Sequence, residues 1–295
     1  MKRILITGAN KGIGLATAKK LLESYSETYV LLGSRDFKKG KQALETLLKS
    51  SPEFIERVNL IQLDVEQDYS VNLAAEKIVE NFGKTQGALY GIVNNAGISN
   101  SVEGLEKILN VNTHGPKRIC DAFIPLLDSS QGRIVNVTSA SGPTFVSGSS
   151  DETKKLLTNP AITWTEIKDY MDKCIDDSKN NDIISDSGSN MGSAYGLSKA
   201  CTNAYTIFLA RQHPDLKVNA CTPGFIETDM TRYMAVSVGK TPAEMGMKSP
   251  EEGTSASVFL LMGNTEGSGH YYGSDCLRSP IDRYRSPGDP PYTGE

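Results

Sequence analysis

Short apolar runs alternate with longer amphipathic stretches along most of the chain. Strands are predicted at Arg3–Thr7, Tyr29–Gly33, Asn59–Leu63, Gly91–Asn94, Gly132–Thr138, Lys217–Thr222 and around His270–Tyr272. Their Ile, Val and Leu content is nearly continuous, which suits strands buried on both faces. After the first strand, Leu15, Ala18, Leu21 and Leu22 recur at the spacing of one helix face. Alternating strand and helix implies an α/β fold, a doubly wound parallel sheet with helices on both sides in three αβα layers.

Two stretches depart from that rhythm. Ser139 and Tyr195 are 56 residues apart, and the segment between them carries its own helical pattern. Asp151 to Leu157 can form a short helix, and Thr163-Trp164-Thr165-Glu166 is a capping box in which Thr163 and Glu166 satisfy free amides. Beyond it Trp164, Ile167, Tyr170, Met171, Cys174 and Ile175 mark one apolar face, with Glu166, Lys168, Asp169, Asp172 and Lys173 opposite. That stripe must bury itself on something, and the outside of the Tyr195 helix is the nearest surface. Ser185–Asn190 reads as solvent-facing or as a substrate lid. After Asp275 the composition turns to Pro, Gly and Arg with little apolar content, which predicts a loosely held tail; a substrate-side contact is the alternative.

Composition narrows the picture. The predicted strands span nearly the whole 295-residue chain, so one domain over residues 1–278 is expected, with an insertion at about 141–190 and a tail over 279–295. A formal net charge of −4 leaves no electrostatic footprint for nucleic acid. Five cysteines form no C-x-x-C and three histidines no ligand pair, the pattern of reduced thiols without a metal site. The apolar run behind Met1-Lys2-Arg3 stops after Ile6, and no run reaches bilayer length. The chain reads as soluble and cytoplasmic.

Candidate chemistry sits in two distant parts of the chain, both expected along one crevice at the carboxyl ends of the strands. Gly8, Gly12 and Gly14 follow the first strand and open a helix, the context in which closely spaced glycines let a backbone approach a pyrophosphate. The helix N-terminus then supplies free amides to the phosphates. Tyr195 and Lys199 are four apart on one helix, so they share a face. A nearby ammonium favours the phenolate by about 4 kcal/mol at ~4 Å in an effective dielectric of ~20, which bounds the lowering of the phenol pKa at roughly three units before burial opposes it. A phenol tuned in this way exchanges a proton with an alcohol or alkoxide near neutral pH.

Together these motifs resemble the short-chain dehydrogenase/reductases, and within them the monomeric carbonyl reductases. Thr7-Gly8-x-x-x-Gly12-x-Gly14 looks like their cofactor loop, Asp64 like their adenine-contacting aspartate, and Asn94-Asn95-Ala96-Gly97 like their central-strand motif. The resemblance implies a Rossmann-type fold and a catalytic set of Asn112, Ser139, Tyr195 and Lys199. It implies cofactor contacts from Gly8, Asn10, Lys11, Gly12, Ile13, Gly14, Arg35, Asp64, Val65, Asn94, Ala96, Gly97, Tyr195, Lys199, Pro223, Gly224, Ile226 and Thr228. In that scheme Ser139 steadies the substrate oxygen, Lys199 also holds the ribose, and Asn112 bends a helix and holds a water.

The end of the second strand bears on the choice of coenzyme. An acidic residue about 20 positions past the glycines would hold the NAD ribose; Ser34 stands there, followed by Arg35, whose guanidinium suits a 2′-phosphate. Arg35 paired with Asp36 in solvent, or Asp36 on the ribose of NAD, are the competing readings; the residues favour NADP(H). The expected activity is NADPH-dependent reduction of a ketone, aldehyde or quinone, with Tyr195 as proton donor. Alternatives are reduction of a cyclic terpenoid or alkaloid ketone, and a catalytically silent NADP-binding regulator, against which the intact set of four argues. An added helix on the Tyr195 helix would block the pairing that most relatives use, so a monomer acting on a small carbonyl compound, apart from nucleic acid and membrane, is expected.

Overall fold

A computed structural model describes residues 1–83, 86–99, 104–179 and 192–294. The strands are β1 (Lys2–Ile6), β2 (Thr28–Ser34), β3 (Val58–Gln62), β4 (Gly91–Asn94), β5 (Arg133–Val137), β6 (Lys217–Cys221), β7 (Tyr271–Tyr272) and β8 (Arg278–Ser279). They form one sheet in the order β3-β2-β1-β4-β5-β6-β7-β8, parallel throughout except for β8, which runs antiparallel to β7. The first seven match the expected strands to within a residue at most ends. The two-residue β8 has no apolar pattern of its own.

Alternation along each strand divides the core. Ile4 and Ile6 of β1 face one side and Leu5 the other. On the Ile4 side lie α1 (Gly12–Ser24), α2 (Phe37–Ser50) and, much later in the chain, a helix at Ser255–Met262. On the Leu5 side lie α3 (Asp68–Phe82), α4 (Gly104–Leu109) and α5 (Gly115–Phe123). A single π-turn, Asn110–His114, joins α4 to α5. Next come α6 (Ser141–Gly148), α7 (Asp151–Leu157), α8 (Trp164–Lys179) and α9 (Gly192–Gln212), and then α10 (Arg232–Ser237) and α11 (Ser255–Met262). The strand order reverses between β1 and β4, which opens a crevice at their carboxyl ends.

The helices of the insertion form as the pattern predicts. Thr163 and Glu166 cap α8 reciprocally, at 2.8 Å and 3.2 Å. Ile167, Met171 and Cys174 are buried, and Trp164 meets the α9 residue Tyr205 edge-on at 5.6 Å between ring centres. Arg211 of α9 donates to the carbonyls of Pro160 and Ile162, both at 2.6 Å, and so clamps the approach to α8. The outside of α9 is therefore covered. Ser185–Asn190 lies outside the described residues.

The tail differs from expectation. The Arg285 side chain is largely shielded and donates to Asp275 at 2.5 Å, to Ser279 at 2.9 Å and to the Asp289 carbonyl at 2.6 Å. Arg278 and Arg283 both stack on Tyr292. The physical reason is that arginines, which read as solvated in a low-hydropathy stretch, here act as multidentate hydrogen-bond donors that hold irregular backbone.

Candidate active site

The glycine loop is shaped by backbone demands that only glycine meets. Gly8 and Gly12 have φ of 64° and 56°, in the left-handed region. A Cβ on Gly14 would come within 2.5 Å of the Asn95 amide, so its absence lets α1 close on the loop after β4. Thr7 ties the two loops together: its hydroxyl accepts from the amides of Asn95 and Ala96, both at 3.0 Å. The first turn of α1 has no side-chain cap, so its amides face the crevice unclaimed by any capping group.

A crevice of about 560 Å³ follows the carboxyl ends of the strands. Gly8, Asn10, Lys11, Gly12, Ile13, Arg35, Asp64, Val65, Ala96, Gly97, Tyr195, Lys199, Pro223 and Thr228 all line it. Gly14 lies behind the loop in a packing role, and Gly224 lines a second cavity instead. Asn94 is displaced from its expected place. It is buried one layer below, where its amide donates to Asn136 at 2.8 Å, and Asn136 in turn donates to Thr206 at 2.8 Å. Strand alternation explains this: consecutive residues point to opposite sides, and Asn95, the neighbour, reaches the crevice. Ile226 is likewise buried, packed against Gly253 beneath the loop.

Arg35 makes a pairing that neither sequence reading anticipated. Its guanidinium donates to Glu66 at 2.9 Å, and Lys107 contacts the other oxygen of that buried carboxylate. Asp36 is occupied elsewhere, capping α2 by accepting from the Lys39 amide at 3.0 Å. Across the crevice, Lys11 bridges to Asp229 at 2.6 Å. Glu66 and Asp229 had no signal in the sequence, because each is read only through a partner far away in the chain.

The four residues expected to act together do converge. Glycines and an alanine at the α6–α9 contact allow it: a Cβ on Gly196 would meet the Ser141 carbonyl at 2.9 Å, and one on Gly142 the Ala200 amide at 3.1 Å. The close packing carries Ser139 up to Tyr195. Lys199 is buried, donates to the Val137 carbonyl at 3.0 Å and lies 5.5 Å from the centre of the Tyr195 ring. Asn112, in the π-turn, accepts from the Ile98 amide at 2.9 Å and donates to the Ile98 carbonyl at 2.8 Å and to Ser198 at 2.9 Å. It thus clamps the loop after β4 to α9.

The electrostatics correct one expectation. Burial pushes the Tyr195 phenol up to about 12, with Ser139 pulling weakly the other way, and pushes the Lys199 ammonium down to about 8. Desolvation therefore outweighs the ammonium's attraction for a phenolate, which was expected to lower the phenol. The amine is directed at a backbone carbonyl rather than at the phenol oxygen, and it is itself desolvated.

Ser139 also lines a second cavity of about 940 Å³, walled by Ala140, Pro143 and Phe145 on one side and by Phe225, Tyr271 and Tyr284 on others. Tyr195 lines the crevice and Ser139 the cavity, so the pair stands where the two spaces meet.

The profile described as short chain dehydrogenase matches residues 2–150. The (+)-neomenthol dehydrogenase of Arabidopsis thaliana is 34% identical over 286 residues, covering 88% of this chain and 90% of that protein. The chain belongs to the short-chain dehydrogenase/reductase family. It is an oxidoreductase of that family, close to its carbonyl reductases: an NADPH carbonyl reductase of Rattus norvegicus is 29% identical over 273 residues, at 88% and 90% coverage. The salutaridine reductase structure from Papaver somniferum superposes with a TM-score of 0.78 at 29% identity, covering 92% of this chain and 99% of that one. The family's mostly parallel, helix-flanked Rossmann sheet is the fold found here. Among the described residues no helix is long and apolar enough to cross a membrane, and no group of side chains could hold a metal ion.

Proposed function

We propose that the protein reduces ketone, aldehyde or quinone carbonyls to alcohols using NADPH. The observation that carries this reading is the Tyr195–Ser139 pair at the junction of a dinucleotide-sized crevice and an open, more apolar than polar cavity. The residues fit the coenzyme: positive-φ glycines leave room for a pyrophosphate, and uncapped α1 amides face it. Arg35, Asn10 and Lys11 all line the crevice and are the donors that a 2′-phosphate would need. NADPH supplies the hydride when bound.

This chain's residues do the rest. Ser139 orients the carbonyl oxygen from the cavity side and donates to it as negative charge develops. Tyr195 delivers the proton to that oxygen; its high pKa keeps the phenol protonated at neutral pH, as a general acid in the reduction direction requires. Lys199, held by the Val137 carbonyl, would bind the nicotinamide ribose, and Asn112 holds the Ile98 loop that forms the crevice wall. The catalytic set is thus Asn112, Ser139, Tyr195 and Lys199.

A second reading, a cyclic terpenoid or alkaloid ketone as substrate, is favoured by cavity size. A space of about 940 Å³ lined by Pro143, Phe145, Phe225 and Tyr284 suits a rigid polycyclic ketone better than a small aldehyde. The relatives named for neomenthol and salutaridine support it. We also read the protein as a cytoplasmic monomer with a single domain. The test is decay of NADPH absorbance against quinones, α-dicarbonyls and cyclic monoterpenoid ketones. Turnover of at least one class is expected; coenzyme binding with no turnover of any would favour the silent regulator.

A further inference from the structure

The cavity that holds Ser139 has an unusual far side. Gly273, Ser274, Ser279, Tyr284, Arg285 and Pro287 all line it, so the segment after β7 forms a wall facing α6. A segment this irregular holds a fixed wall only if it is pinned. Four sets of contacts pin it. β8 pairs with β7 through Tyr271–Ser279 and Tyr272–Arg278. Cys276 takes a left-handed φ of 63°, which turns the chain back, and its amide donates to the Gly273 carbonyl at 3.0 Å. The Arg285 guanidinium, 6% exposed, joins Asp275, Ser279 and the Asp289 carbonyl. The second Asp275 oxygen accepts from the Gly288 amide at 3.2 Å, so one ion pair closes a loop over residues 275–289.

Buried ion pairs add little stability when compared with apolar packing, but breaking one by removing a partner is strongly disruptive because a charge is left unpaired. The clasp is therefore a device for holding shape. What it presents to the cavity is Tyr284 and Pro287, with Tyr284 about half exposed at the mouth. Tyr284, Tyr271 and Ser139 line the same cavity, so the wall and the reacting end share one space.

We propose that residues 273–289, clasped by Arg285 and Asp275, are the specificity-determining wall of the cavity, with the Tyr284 ring as the surface on which a bulky apolar carbonyl compound packs. This rests on the reading of that cavity as the carbonyl site. A small dicarbonyl held at Ser139 would not reach Tyr284; a cyclic ketone would.

The test uses the full chain with menthone as the bulky probe and diacetyl as the small one. Tyr284→Ala should weaken menthone by about tenfold, equivalent to ~1.4 kcal/mol, in both KM and calorimetric Kd measured with NADP+ present. Tyr284→Phe should behave as the parent, and diacetyl turnover and NADP+ affinity should be unchanged in both. Arg285→Met should repeat the menthone loss and speed proteolytic cleavage within 278–289. Weaker menthone binding in these variants would uphold the wall; if the parent also turned over neither probe nor any other carbonyl class, the reductase reading alone would fall. Unchanged menthone affinity in Tyr284→Ala, or equal losses for both probes, would overturn the wall while leaving the reductase reading intact.

Discussion

The Lys199 amine points at the Val137 carbonyl, 3.0 Å away, and not at the hydroxyl of Tyr195, whose ring centre is 5.5 Å from it. A fixed backbone acceptor holds the ammonium at the inner end of the crevice, and the buried amine and the half-buried phenol are perturbed separately. Their pKa values move apart from the ordinary ones in opposite directions, each by desolvation.

That separation has a signature in stability. Lys199 titrates at about 8 in the folded protein and near 10.5 when unfolded, so the unfolded chain binds more protons between those values. The penalty of the buried charge is fully present below pH 8 and fades as pH rises to about 10.5. Lys199→Met should therefore gain thermal stability relative to the parent at pH 7, and the gap should close by about pH 10; ~1.36 kcal/mol per pKa unit sets the ceiling near 3 kcal/mol. A gap that stays constant from pH 7 to 10, in unfolding followed without coenzyme, would contradict this. Tyr195 acts with the other sign: its pKa is raised to about 12, so its contribution is complete below pH 10 and lost from there towards pH 12.

Tyr195→Phe keeps the ring and removes the proton donor. Turnover of any carbonyl substrate should fall by about 10²–10⁴-fold, the usual worth of general acid catalysis, with coenzyme affinity within twofold of the parent. Stopped-flow turnover and coenzyme titration measure the two separately, and near-normal turnover would remove Tyr195 from the reaction.

Arg35→Ala should raise the KM for NADPH with little change for NADH. The guanidinium is braced by Glu66 in the crevice, whereas Ser139 lines the other cavity, so kcat should hold. Equal effects on both coenzymes would mean that Arg35 serves only its ion pair.

Asn112→Ala strands the amide and carbonyl of Ile98 at once, while the Ser198 hydroxyl keeps its bond to the Tyr195 carbonyl. Unsatisfied buried groups cost ~1–3 kcal/mol each, so a loss of about 2–4 kcal/mol in urea unfolding is expected, along with weaker coenzyme binding through the shifted Gly97–Ile98 wall. A variant of parental stability would show that the clamp is dispensable.

The covered face of α9 bears on assembly. Light scattering should give a mass near the 31.9 kDa of one chain. Removing residues 163–179 should expose Tyr205 and the surface under Ile167 and Met171, and promote association. A stable tetramer of the intact protein would refute the reading.

Local pattern determined much of this protein. β1 and the Gly8–Gly14 loop were legible because their chemistry is contiguous: a buried run, a turn requiring positive φ, and a helix start. The Thr163–Glu166 box and the α8 stripe were legible for the same reason, since capping and amphipathicity are properties of neighbours in sequence. Tyr195 and Lys199 announced themselves by sharing a helix face. Tertiary structure alone decided which side of the crevice floor each asparagine takes, because a one-residue step past the end of β4 exchanges buried Asn94 for the half-buried, crevice-lining Asn95. It also decided that Arg35 would pair with Glu66, 31 residues away, and that Arg285 would be shielded against Asp275. A charged side chain reads as solvated until the fold brings it a partner. The pKa of Tyr195 was decided in the same way, since spacing along α9 reports the ammonium nearby but not the water that packing removes.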